Sequence, residues 1–231
     1  LIKDVDISPS LKVCWDPGNG SSGKIINQLV KKIPGKHYLI NDKIDGDFPN
    51  HHPDPTVEKN LIQLKAKVHK EKCDLGLALD GDGDRIGVID SQGRVIWGDQ
   101  LLAMFAKDIL KDKPGSTIIG DVKCSDVFFN EVVRLGGNAI MGPAGHSLIK
   151  AKMEENNAML AGEMSAHIFF ADRYYGFDDA IYASLRTLEM FTTQSKPIDS
   201  LLDDLPKMFN TPEIRFDCPE NRKFQVSSAR K

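Results

Sequence analysis

Two apolar rhythms alternate along the chain. Short unbroken apolar runs bounded by turn residues predict strands, and apolar residues three and four apart predict amphipathic helices. "LKVCWD" (11–16) reads as a strand, and "SSGKIINQLVKKI" (21–33) as a helix carrying Ile25, Ile26, Leu29, Val30 and Ile33 at helical spacing. "HYLI" predicts a second strand, after which "NDKIDGDFPNHHPDPT" is too dense in Pro, Asp, Asn and His for regular structure. "TVEKNLIQLKAKVHKEK" predicts a helix with Thr56 as its N-cap. "DLGLAL" and "RIGVID" read as strands, and "SQGR" before "VIW" as a hairpin.

The pattern then restarts. "DQLLAMFAKDIL" predicts a helix, "KDKPG" a turn, "STIIGDV" a strand, "SDVFFNEVVRL" a helix stopped by Gly136 and Gly137, and "NAIM" a strand. Helix "HSLIKAKMEEN", strand "AMLAGEM" and a long helix through "DDAIYASLRTLEMF" follow. Strand, loop and helix thus recur in 11–33 and 117–137. This predicts an α/β fold of two similar domains, each a mixed β-sheet flanked by helices, with a boundary near residue 95.

Composition narrows the partners. The 231 residues are 41 % hydrophobic and 27 % charged, ordinary values for a chain with enough apolar surface to form a core. A formal charge of -3 and a pI near 6.1 give no general attraction to nucleic acid or anionic lipid, so a phosphate-bearing ligand has to be held by local donors. Cys14, Cys73, Cys124 and Cys218 show no CxxC pairing, which fits reduced thiols in the cytoplasm. No apolar run approaches the roughly 18 residues of a bilayer span, and "LIKDVDISPS" lacks the basic and apolar regions of a secretion signal, so a soluble chain is expected. It opens on Leu1 and stops at "SSARK" just after the strand-like "PEIRFDCP", and is therefore expected to be a piece of something longer.

The densest chemistry lies in "LALDGDGDRIGVID" (77–90). Asp80, Asp82 and Asp84 alternate with Gly81 and Gly83, whose backbone freedom allows three carboxylates to aim at one point. Unpaired, they repel. A hard divalent cation with oxygen ligands, Mg²⁺ sharing a phosphate oxygen, relieves this, and Arg85 stands next to it ready to fork onto a phosphate. A calcium EF-hand fails, because Arg85 falls where glycine is needed and Ser91 where glutamate is needed. A solvated acidic turn remains the bland alternative.

Other motifs are weaker alone. "GNGSSG" (18–23) after a strand and before a helix, with Asp42 beyond the next strand, has the form of a dinucleotide fingerprint, although a packing turn explains it as well. "GEMSAH" (162–167) sets Glu163, Ser165 and His167 at alternate positions, one polar face if the segment is extended. "GHSLIK" places His146 and Lys150 one helical turn apart, and "GDVKCS" places Lys123 after a strand. Each of these is also an ordinary surface residue.

Taken in order, "FPNHHPDPTVEKNL", "DLGLALDGDGDRIGVID", "IIGDVKCS", "GHSLIK", "GEMSAHIFF" and "YGFDDAIYASLRTLE" resemble the bacterial phosphomannomutase/phosphoglucomutase branch of the α-D-phosphohexomutase superfamily. The resemblance implies an enzyme of four domains that interconverts mannose or glucose 1-phosphates and 6-phosphates through a phosphoserine and a bisphosphorylated sugar, glucose or mannose 1,6-bisphosphate. It implies that Asp80, Asp82 and Asp84 hold Mg²⁺, that Arg85 lies beside the phosphoserine, and that Lys123, His146 and His167 lie near the reacting hydroxyl. It further implies that Glu163 and Ser165 grip the sugar's 3- and 4-hydroxyls. Met164 resembles the mannose/glucose branch more than the glucosamine branch.

By the same resemblance, residues 1–94 are the second domain with the metal loop, 95–206 the third with the sugar loop, and 207–231 a linker and the start of a C-terminal domain. The family's Ser-His-Asn-Pro loop and C-terminal Ser-Gly-Thr loop are missing from this sequence, so the 231-residue piece is expected to be inactive alone. Ala166 stands where the family usually has glycine, which matters if that position needs a positive φ, and Pro143 and Ala144 replace a more polar approach. Two other readings stay open: a dinucleotide-dependent oxidoreductase built on "GNGSSG", and a non-catalytic binding module.

Overall fold

The computed structural model describes residues 2–7, 11–193, 200, 203, 206 and 217–222. The first unit runs β1 (Lys12–Asp16), α1 (Gly23–Leu29), β2 (Lys36–Leu39), a 3-10 turn (Glu58–Leu61) leading into α2 (Ile62–Glu71), β3 (Leu75–Leu79), β4 (Ile86–Asp90) and β5 (Val95–Ile96). The second runs α3 (Gly98–Asp112), β6 (Thr117–Asp121), α4 (Asp126–Arg134), β7 (Asn138–Gly142), α5 (His146–Asn156), β8 (Leu160–Gly162), β9 (Ile168–Phe170) and α6 (Ala180–Thr193).

The two sheets have orders β2-β1-β3-β4-β5 and β7-β6-β8-β9. In each, the first three strands are parallel and the next is antiparallel, so β1, β2, β3 and β4 correspond to β6, β7, β8 and β9. The repeat read from strand, loop and helix therefore extends through whole sheets, with β5 the unmatched strand. Parallel pairing buries both sheet faces, which explains unbroken apolar runs such as Leu75–Leu79. Val13, Trp15, Leu75 and Leu77 on one face, with Ile118, Leu160, Ile168 and Phe170 of the other sheet, share one core with α3 and α6. The opposite faces are covered separately, by Leu64 and Val68 of α2 in the first unit and by Ile149 and Met153 of α5 in the second. The helices α3 and α6 each touch strands of both sheets, and so fix the two units against one another.

Three sequence expectations change. Thr56 is not a cap: its N–H and hydroxyl both donate to Asp54 Oδ1, at 3.0 and 2.7 Å, and the helix begins through the 3-10 turn instead. The short β9 went unread because "GEMSAH", taken as extended, hid the turn that separates it from β8. "GEMSAH" is a turn between β8 and β9 rather than an extended segment, since Glu163 N–H donates to His167 O at 3.0 Å and Ala166 N–H to Glu163 O at 2.9 Å. The expected linker and domain start at 207–231 lie outside the described residues except at 217–222. Among the described residues, no helix is long and apolar enough to cross a membrane.

Candidate functional site

The β3–β4 loop is wound around its own first residue. Asp80 is buried, and its Oδ1 accepts the N–H groups of Gly83, Asp84 and Arg85 at 3.0, 3.0 and 3.1 Å. Gly83 makes the bend with φ +86°. Arg85 Nε donates to Asp80 Oδ2 at 2.7 Å. Burial pushes the Asp80 carboxyl up to about 6, against the opposing pull of Arg85 and with help from the Asp84 charge. Asp84 is held below the usual carboxylate range, chiefly by its contact with His167.

Asp80, Asp82 and Asp84 can each offer one oxygen within 4.8 Å of the others. An all-oxygen set of three carboxylates fits a hard divalent cation such as Mg²⁺ and relieves the repulsion among them. Beneath the loop, Ser22 packs against Gly83, and its buried Oγ has no hydrogen-bond partner among the described residues.

Two further segments brace this loop. A Cβ at Gly20 would lie 2.6 Å from Gly81 O, and Ser21 donates its N–H to Gly81 O at 2.9 Å and its hydroxyl to Asp82 O at 3.2 Å. The glycine turn is thus filled by the acid loop, where a dinucleotide would need open backbone for its pyrophosphate. Asp42, the expected ribose acid, accepts instead from the Asn27 amide. The oxidoreductase reading loses its site on both counts. The Pro/His stretch contributes Asp54, whose Oδ1 lies 3.3 Å from Arg85 NH1, so Arg85 is held between two carboxylates.

The β8–β9 loop gathers the second set of expected residues. Glu163 is buried, with Oε1 accepting the Gly145 N–H at 2.6 Å at the start of α5. His167 Nδ1 lies 3.1 Å from Glu163 Oε2 and 3.1 Å from Ser165 Oγ, and Nε2 lies 3.3 Å from Asp84 Oδ1. Burial works against the imidazolium, yet Asp84 and Glu163 overcome it and lift His167 to about 9. Burial likewise opposes ionisation of Glu163, but His167 and the Gly145 amide keep it below its ordinary value, with Lys123 adding a smaller pull. Ala166 has φ +71°, the left-handed conformation that glycine adopts freely.

The two loops meet. Arg85 and His167 form an antiparallel bridge, and Ile86 N–H donates to Ala166 O at 3.1 Å. The His146 ring centre is 6.2 Å from that of His167, and exposed Lys123 follows β6 close enough to act on Glu163. The expected residues therefore gather along one seam between the sheets. Sequence reasoning missed Asp54 and Asp178. Asp178 accepts from Lys150 Nζ at 3.0 Å and lies 3.8 Å from His146 Nδ1. Both residues lay inside quoted motifs, but nothing in the local pattern marked them.

Comparison with known proteins gives the same picture. The family model described as phosphoglucomutase/phosphomannomutase, alpha/beta/alpha domain II, matches residues 3–93, and that for domain III matches residues 97–209. A phosphomannomutase/phosphoglucomutase of Pseudomonas putida is 43 % identical over 99 % of this chain, which covers 50 % of that relative. The crystal structure of a phosphoglucomutase/phosphomannomutase family protein from Burkholderia thailandensis, 43 % identical, superimposes with a TM-score of 0.86 over 90 % of this chain and 45 % of its own. A structure of Aspergillus fumigatus N-acetylphosphoglucosamine mutase in complex with GlcNAc-6P and magnesium has a TM-score of 0.67 over 88 % of this chain and 50 % of its own; at 15 % identity it shares the fold. The chain spans about half the length of the curated relatives it matches. With both domain models matched in order and the sheets repeating as they do, the chain belongs to the phosphoglucomutase/phosphomannomutase family.

Proposed function

We propose that this chain is the central part of a phosphohexomutase that interconverts the 1-phosphates and 6-phosphates of mannose and glucose. The observation that carries the reading is the seam: an oxygen-donor cation cradle and a polar loop bridged through Arg85 and His167 and through Ile86 and Ala166. Asp80, Asp82 and Asp84 would hold Mg²⁺, which when bound supplies charge neutralisation for a transferring phosphoryl group. Arg85, fixed by Asp80 and Asp54, donates to phosphate oxygen. Lys123, His146 and His167 attend the reacting hydroxyl and its proton. Ser165 and Glu163 bind sugar hydroxyls, which asks the Glu163 carboxylate to turn from the Gly145 amide.

The phosphoserine and a C-terminal phosphate-binding loop belong, on this reading, to other domains of a cytoplasmic protein, and glucose or mannose 1,6-bisphosphate is the intermediate. Residues 1–94 and 95–206 act as the second and third domains, and 207–231 lead into the fourth. The isolated chain lacks a phosphoryl carrier and is inactive. Two measurements test this. In a coupled assay the chain should give no turnover of mannose 1-phosphate or glucose 1-phosphate above background, and clear turnover refutes its dependence on further domains. Calorimetry should show Mg²⁺ binding that the triple change Asp80→Asn, Asp82→Asn, Asp84→Asn abolishes; undiminished affinity reduces the acid loop to a turn.

A further inference from the structure

We infer that the seam contains a second cation site, formed by Asp84, His167 and Asp178, suited to a zinc-class first-row ion rather than to Mg²⁺. Each of the three can offer one ligand atom, and these atoms lie within 4.8 Å of one another. They come from three places in the fold: the acid loop, the β8–β9 loop and the segment before α6. One imidazole nitrogen with two carboxylates is a borderline donor set, which favours Zn²⁺ and its neighbours over a cation that prefers oxygen alone. Asp84 also belongs to the Asp80–Asp82–Asp84 cluster, so its carboxylate can serve both.

A separate observation points the same way. Glu163 is only 3 % exposed, and its buried Oε2 lies 3.1 Å from His167 Nδ1. A carboxylate behind one ring nitrogen fixes the imidazole and turns the other nitrogen outward, the arrangement that supports metal-bound histidines. Here the outward nitrogen is Nε2, 3.3 Å from Asp84 Oδ1. Lys150 competes for the site, since its ammonium donates to Asp178 Oδ1 at 3.0 Å. An ion would use the other Asp178 oxygen or displace the lysine. Binding displaces the Nε2 proton that faces Asp84 and takes the lone pair it leaves, so a zinc-class ion would silence His167; that consequence alone rests on the proposed function, whereas the site rests on its donor set.

The test is calorimetric titration of Zn²⁺ into the chain carrying Cys218→Ser, which removes an exposed thiol, with Mg²⁺ in excess. One Zn²⁺ should bind. His167→Ala and Asp178→Asn should each weaken it at least tenfold, and Glu163→Gln about tenfold. Lys150→Ala should tighten it. Asp82→Asn should weaken Mg²⁺ and leave Zn²⁺ unchanged, so the two cation readings fail separately. The unaltered histidine set loaded with Co²⁺ should show a paramagnetically shifted imidazole resonance assigned to His167. Loss of Zn²⁺ binding in excess Mg²⁺, or equal binding by a folded His167→Ala, overturns the inference. If the variants unfold, absence of the shifted His167 resonance overturns it alone.

Discussion

The β3–β4 and β8–β9 loops occupy the same place in two copies of one sheet order, and they share a frame while differing in what the frame holds. Each begins with a buried acid and ends with a base that returns to it: Arg85 Nε to Asp80 at 2.7 Å, and His167 Nδ1 to Glu163 at 3.1 Å. Each is closed by a backbone bond between the same two residues, Asp80 N–H to Arg85 O at 3.3 Å and Glu163 N–H to His167 O at 3.0 Å. Between them, one loop carries Gly-Asp-Gly-Asp and the other Met-Ser-Ala. The frame sets the two terminal bases side by side across the seam, and on the proposed function the filling decides whether a cation or a hydroxyl-bearing ligand is met.

The loops differ in how they are braced. Asp80 folds its own loop, accepting three amides on one oxygen, whereas Glu163 reaches out to the Gly145 amide of a neighbouring element. Asp80→Ala should therefore cost the most stability, about 3 kcal/mol, because several donors lose their acceptor together. Glu163→Ala should cost roughly half of that, leaving one amide and His167 without the carboxylate. Urea unfolding of both variants checks the order; an equal or larger loss from Glu163→Ala would break the contrast between an acid that winds its own loop and one that reaches to a neighbouring element.

What was legible in the sequence follows the same division. The sheets and most helices could be read because a strand buried on both faces writes an unbroken apolar run and a helix buried on one face writes a period of 3.6, wherever the stretch is long enough to show it. The convergence of Asp80, Asp82 and Asp84 was readable because it is local to one turn. The turn at Glu163–His167 was not, since its alternate polar residues imitate an extended strand and its left-handed residue is alanine rather than glycine. Long-range partners left no local trace. Arg85 meets Asp54 across 31 residues and Lys150 meets Asp178 across 28, and only the folded sheets bring them together. The candidate roles of Lys123 and His146 came from resemblance, because neither residue has a spacing that separates a ligand from a surface charge.

The comparison extends to the first strand of each unit. Asp16 ends β1 and Asp121 ends β6, both fully buried. Asp121 Oδ1 accepts the Cys124 and Met164 N–H groups, and its Oδ2 has no hydrogen-bond partner among the described residues. Asp16 Oδ2 instead faces His51 Nε2 at 3.0 Å, and that hydrogen bond, against the opposing effect of burial, raises His51 above its ordinary value. A base stabilised in its charged form contributes stability fully below its unfolded pKa, near 6.5, and loses that contribution as pH rises through the folded value. His51→Gln should therefore be less stable than the unaltered chain by about 1 kcal/mol below pH ~6, with the gap closing as pH rises. A gap independent of pH would mean that His51 acts by shape and that the two strand-end aspartates differ only in packing.

The smallest expected effect addresses the left-handed residue. Gly83 takes φ +86° in the first loop, and Ala166 takes φ +71° in the second. An L-residue there costs roughly 1–2 kcal/mol, while glycine carries about 0.5–1 kcal/mol more unfolded-state entropy into folding. Ala166→Gly should thus stabilise the chain by about 0.5 kcal/mol, less what its buried methyl contributes. The informative readout is local. Ile86 N–H donates to Ala166 O, so hydrogen exchange at the Ile86 amide reports whether the loops stay joined when the turn gains freedom. If glycine raises global stability while Ile86 exchanges faster, the alanine holds the seam at the expense of strain. If Ile86 protection rises in step with stability, the alanine is a strained substitute that the frame tolerates, and the two loops are closer in construction than their sequences indicate.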